Sequence, residues 1–172
     1  MSKNTLLIDN IAFAKKNEHI EGVLSLADCP RLDELLKAST DPKVNRSVAI
    51  SYMMEGKTDA VGQHLLHLAI SADITPSCQR CLNAMPLMLN LNFNYLIGEV
   101  SDTDVEAVDV DNSDEYDLQQ ANKTMDLTAL IEDEVIMAMP IAPMHEEGCV
   151  ALATQSGEKP NPFAALKALI KS

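Results

Sequence analysis

The stretch "ITPSCQRCLNAMP", residues 74–86, sets Cys78 and Cys81 three positions apart, with Arg80 between them and Pro76 and Pro86 flanking. Thiolates at that spacing can turn inward from a tight loop onto one tetrahedral ion such as zinc. A second segment, "APMHEEGC", offers His145 and Cys149, four apart and just beyond Pro143. Together the two halves would make a Cys3His site. More than sixty residues separate them, so this is no local finger signature. Reduced thiols in ordinary turns are the commoner reading of such cysteines. A redox pair is the weakest of the three readings, because it needs the first cysteine at a helix N-terminus. Pro86 and the alternating run after it leave no room for that helix.

The other chemistry-bearing stretch is "MDLTALIEDEVIMAMP". It predicts a helix capped by Asp126 and stopped by Pro140. Its apolar arc takes in Leu127, Leu130, Ile131, Met137 and Ala138, with Glu134 in the middle and Glu132 and Asp133 on a solvated face. A carboxylate on a buried stripe needs a partner. Arg80 is the candidate, giving an expected structural ion pair between Arg80 and Glu134. The alternative is a slight rotation of the helix that lets Glu134 reach water. His19, His64, His67 and His145 have no spacing that suggests a catalytic arrangement, and the chain has neither a nucleophile elbow nor a phosphate-cradling glycine loop. The expectation is therefore a protein that is not an enzyme and has no small-molecule substrate.

Three alternating runs surround the cysteine pair. "SVAISYMM" sets Val48, Ile50, Tyr52 and Met54 against Ala49 and Ser51. "HLLHLAISADI" puts Leu66, Leu68, Ile70, Ala72 and Ile74 on one face, and "LMLNLNFNYLI" sets Leu89, Leu91, Phe93 and Tyr95 against three asparagines. Period-2 patterns of this kind predict strands with one buried face. "HIEGVLSL" reads as a further strand, while "IDNIAFAKKNEH" and "CPRLDELLKAS" read as helices, the second with Leu32, Leu35 and Leu36 as its stripe. A terminal helix is expected in "NPFAALKALIKS", capped by Asn161 and striped by Phe163, Leu166, Leu169 and Ile170. The expected fold is a single α+β domain over 1–172: an antiparallel meander sheet of three to four strands with flanking helices.

Charge is unevenly spread. The formal net charge is −13, but nine of the 26 acids fall in residues 99–117, which hold no basic residue, and the remainder is nearly neutral. Residues 99–121 read as an exposed acidic loop. Nucleic-acid binding needs Lys and Arg against phosphates, so this distribution favours a basic protein partner. A modest basic end, with Lys159, Lys167 and Lys171 near Phe163, is the candidate surface for RNA or another partner. No run approaches the roughly 20 apolar residues that span a bilayer. The start lacks a basic region followed by a cleavable apolar stretch. The expected compartment is the cytoplasm, where the four cysteines stay reduced.

The order "CQRCL", an acidic stretch, "DLTALIEDEVIMAMPIAPMHEEGC" and a terminal "KPNPFAALKALIK" resembles the bacterial YceD family, the large ribosomal RNA subunit accumulation proteins. The resemblance runs from residue 47 or so to the end. It implies a non-enzymatic cytoplasmic factor for the synthesis, processing or stability of large-subunit (23S-type) rRNA. Its implied partners are rRNA, a pre-ribosomal particle or a basic large-subunit ribosomal protein. It carries no established catalytic residue. Two rivals stay open: a metal-dependent nuclease acting on rRNA precursors through the Glu132–Glu134 cluster, and a zinc-binding regulator of ribosomal proteins.

Overall fold

The computed structural model describes residues 5–39, 48–98, 116–146 and Cys149. In chain order these form β1 (Leu7–Ile8), α1 (Asn10–Lys15), β2 (His19–Ser25), α2 (Pro30–Ser39), β3 (Ala49–Thr58), β4 (His64–Ile74), β5 (Leu87–Gly98), β6 (Asp117–Gln120), β7 (Met125–Asp126) and α3 (Leu127–Ala138). The three alternating runs become β3, β4 and β5. Their register places Ile50 opposite Ala72, Met54 opposite Leu68, and Leu66 opposite Tyr95. Every one of these side chains is buried. One face of the sheet therefore packs as a core, covered by Phe13 of α1, Leu32 and Leu36 of α2, and Leu127, Ile131 and Val135 of α3. The opposite face is polar around Ser51, Ser71, Asn90 and Asn92, all exposed, with Ser71 Oγ donating to Asn90 Oδ1 at 3.0 Å.

The α+β class holds, but the main sheet is larger than three to four strands. Its order is β2-β3-β4-β5-β6, and β1 and β7 form a separate two-stranded ribbon. The first four strands are the expected antiparallel meander. The fifth, β6, pairs parallel to β5, with Tyr95 opposite Asp117 and Gly98 opposite Gln120. It lies inside the span read as acidic loop. "DLQQ" carries no alternation that would announce a strand; the backbone of β5 supplies the order that its side chains do not. Residues 99–115 of that span lie outside the described residues.

Side-chain caps set the helix starts. Asp9 accepts from the Ala12 N–H at 2.9 Å to begin α1, and Asp126 accepts from the Ala129 N–H at 3.0 Å to begin α3, the cap expected from sequence. Asn10 is fully buried, which would be costly without partners. Its Nδ2 donates to the Gln120 carbonyl and its Oδ1 accepts from the Asn122 N–H, each at 2.9 Å. α1 is thereby pinned to the turn after β6.

α3 presents a different face from the one its composition suggested. Leu127, Thr128, Ile131, Glu132 and Val135 are buried, while Met137 is 79% exposed. The helix is rotated so that Glu132, not Glu134, points into the protein.

Candidate metal centre

The cysteine pair occupies the connection between β4 and β5, held as a tight knuckle. The Cys78 N–H donates to the Asn83 carbonyl at 2.9 Å, the Leu82 N–H to the Cys78 carbonyl at 2.8 Å, and the Met85 N–H to the Pro76 carbonyl at 2.8 Å. Closing this turn puts Leu82 in the left-handed region, at φ 60°, unusual for a branched apolar residue. Such a turn aims successive N–H groups at its own sulfur.

The other half arrives from α3. Met139 leaves the helix extended (φ −67°, ψ 133°), ahead of Pro140. The chain then returns along the knuckle, where the Gln79 N–H donates to the Pro143 carbonyl at 2.8 Å and Arg80 Nη2 to the His145 carbonyl at 3.2 Å. These contacts bring the second pair of donors in. Cys81 Sγ lies 3.5 Å from His145 Nδ1, and Cys78 Sγ lies 3.8 Å from Cys149 Sγ. The donor atoms of Cys78, Cys81, His145 and Cys149 all fall within 4.8 Å of one another, so the group could hold a metal ion such as zinc. Cys78 and Cys81 are buried, while His145 and Cys149 are half-buried.

Electrostatics prepare the sulfurs unequally. Burial opposes ionisation of Cys78, but hydrogen bonds from the backbone of His145, Cys81 and Arg80 outweigh it and bring its thiol down to about 5. For Cys81 the Asn83 backbone favours the thiolate; burial and the neighbouring Cys78 and Cys149 sulfurs overcome that and push its thiol up. Arg80 Nε donates to Cys149 Sγ at 2.8 Å, which raises the guanidinium's own proton affinity further. The thiolate is the metal-binding form of cysteine. The fourth cysteine, Cys29, is fully buried in the main core, away from this group.

A family model described as "Large ribosomal RNA subunit accumulation protein YceD" matches residues 66–170 of the chain. The chain belongs to the YceD family. The matched span contains all four donors of the Cys3His group, both halves of the knuckle contact and the whole of α3. A protein of Haemophilus influenzae that carries the YceD name, "Large ribosomal RNA subunit accumulation protein YceD", is 28% identical over 181 residues, covering 95% of this chain and 94% of its own. No solved structure matches the chain.

The Cys3His residues expected from the sequence are thus brought together, but the expected Arg80–Glu134 ion pair is not formed. Arg80 is spent on Cys149 and His145. Glu134 instead accepts from the Tyr95 hydroxyl at 2.8 Å; burial, then this carboxylate, hold the Tyr95 proton well above the usual phenol range. The rotation of α3 accounts for the exchange, since it moves Glu134 to the edge of the buried face. Lys159, Phe163, Lys167 and Lys171 lie outside the described residues.

The buried carboxylate of α3 is Glu132, which was expected on the solvated face. Glu132, 2% exposed, accepts the Arg31 N–H at 2.6 Å and the Leu32 N–H at 3.1 Å, capping α2 from another helix. Arg31 completes the clamp, with Nε and Nη2 each 3.0 Å from Glu132 Oε2 and a further contact to Asp133. A signal for this was present. "CPRLDE" starts a helix at Pro30 with Cys29, in place of Ser, Thr, Asp or Asn, at the cap position, and Asp28 is turned back onto Ser25, so the N–H groups of the first turn need an acceptor from elsewhere.

Proposed function

We propose that this YceD protein supports accumulation of large-subunit rRNA in the cytoplasm by binding, without catalysing a reaction, and that its partner is a basic large-subunit ribosomal protein. Membership of the family carries the reading. The carboxylates of α3 support the non-enzymatic part, because a nuclease needs acids free to bind a catalytic cation. Glu132 is consumed by α2 and Arg31, Asp133 by Arg31, and Glu134 by Tyr95. In this reading a zinc ion in the Cys3His group serves the fold, not a reaction.

Charge supports the choice of partner. A chain at −13, with its acids concentrated in 99–117, repels phosphate and attracts Lys- and Arg-rich protein. The test leaves the loop's length intact, because β6 begins at Asp117. The acids of 99–115 are changed to Asn or Gln, and binding is titrated against salt with two probes: proteins stripped from purified large subunits, and a 23S-type rRNA transcript. The native chain should bind the proteins and not the transcript. The neutralised chain should lose at least about tenfold in affinity at low salt and show a flatter salt dependence. Equal low-salt affinity for the two chains would refute the partner assignment. Tight, salt-sensitive binding of native protein to the transcript would transfer the reading to RNA.

A further inference from the structure

We infer that Cys78, Cys81, His145 and Cys149 form a closed, four-coordinate zinc site that staples the α3 exit loop to the β4–β5 knuckle, with Arg80 as its outer-sphere partner. The first support is metric. A tetrahedral ion with Zn–S near 2.3 Å and Zn–N near 2.05 Å separates two sulfurs by about 3.8 Å and a sulfur from a nitrogen by about 3.6 Å. The gaps found are 3.8 Å between Cys78 and Cys149 and 3.5 Å between Cys81 and His145. The longest donor separation, within 4.8 Å, needs about 1 Å of contraction to meet the same figure. Two sulfurs at 3.8 Å are far beyond a covalent bond of about 2.05 Å, and Cys78, Cys81 and Cys149 are not in disulfides.

The second support is charge. Three thiolates, one neutral imidazole and a dication leave a net −1, and a site of that charge is stabilised by a fixed cation in its outer sphere. Arg80 is fixed there: Nε on Cys149 Sγ at 2.8 Å, Nη2 on the His145 carbonyl at 3.2 Å. Its second bond also orients the backbone that carries the imidazole ligand. The third support is chemical type. Soft thiolates with one imidazole select zinc over magnesium or calcium, and four protein donors leave no open position for a substrate.

The inference does not depend on what the protein binds. Full-length protein purified without chelator should contain one zinc per chain by elemental analysis. Cobalt added to apoprotein should give the intense visible absorption of a tetrahedral thiolate site. Cys149→Ser removes a half-buried ligand far from the main core, so it should fold and lose the metal. Arg80→Gln keeps all four ligands. It should retain one zinc per chain while its affinity, read by chelator competition, falls about 10- to 100-fold. Native protein with no zinc, and no cobalt spectrum at a stoichiometric addition, would overturn the site. Undiminished zinc affinity in Arg80→Gln would overturn the outer-sphere role alone.

Discussion

Replacing Glu132 by Ala is expected to lower folding stability by about 3 kcal/mol, equivalent to roughly 6–12 °C in Tm for a chain of this size. The two N–H groups of α2 that Glu132 accepts are next to a core in which Leu32 is fully buried. Losing a helix cap costs about 1 kcal/mol, and a buried donor left without an acceptor costs about 1–3 kcal/mol more. Glu132→Gln keeps an oxygen for the N–H groups but loses the charge, so about half the loss should return. Arg31→Ala should cost only about 1 kcal/mol, because its side chain is 53% exposed and water can replace much of what it gives. Urea unfolding of the three variants checks the ranking. If Glu132→Ala and Arg31→Ala shift the midpoint equally, the cap is not what Glu132 provides.

A glycine on β3 should be nearly as sensitive. A Cβ built on Gly56 would lie 2.7 Å from the Phe13 carbonyl oxygen and 2.8 Å from the Ala14 Cα, both backbone atoms of α1. Neither can swing aside, so the helix must lift from the sheet, unseating Phe13 and Ala14 from the core. Gly56→Ala is expected to cost about 3 kcal/mol, at the upper end for overpacking. Gly22 on β2 supplies the control. A Cβ there meets Tyr52, chiefly the hydroxyl at 2.6 Å, the free end of a half-buried side chain that can turn away. Gly22→Ala should therefore cost below about 1.5 kcal/mol. Hydrogen exchange should show the Gly56→Ala loss first in α1. Equal stability of the two variants would contradict the close approach.

These two sites also mark what the sequence could and could not convey. β4 and β5 were legible residue by residue, since alternation with one buried face leaves little choice of register. The Cys3His donors were legible by type, although the contacts that unite them (the Gln79 N–H and the Arg80 guanidinium donating to the Pro143 and His145 carbonyls) end on backbone acceptors that no side chain announces. The phase of α3 was not legible. "LTALIEDEVIMA" places apolar residues on nearly every side of the helix, so packing, not periodicity, decides which carboxylate turns inward. Once the phase slipped, Glu134 seemed in need of Arg80, and Glu132 was consigned to solvent. The approach of α1 to Gly56 was equally hidden, because a glycine in a strand reports closeness without naming the neighbour.

The parallel pairing of β6 with β5 carries a consequence for colloidal behaviour. Gly98 ends one strand and Asp117 begins the other beside Tyr95, so the two attachment points are about 11 Å apart. β6 is itself an edge of the five-stranded sheet, and a strand of only four residues that begins with the carboxylate of Asp117 offers a neighbouring molecule little to add on to.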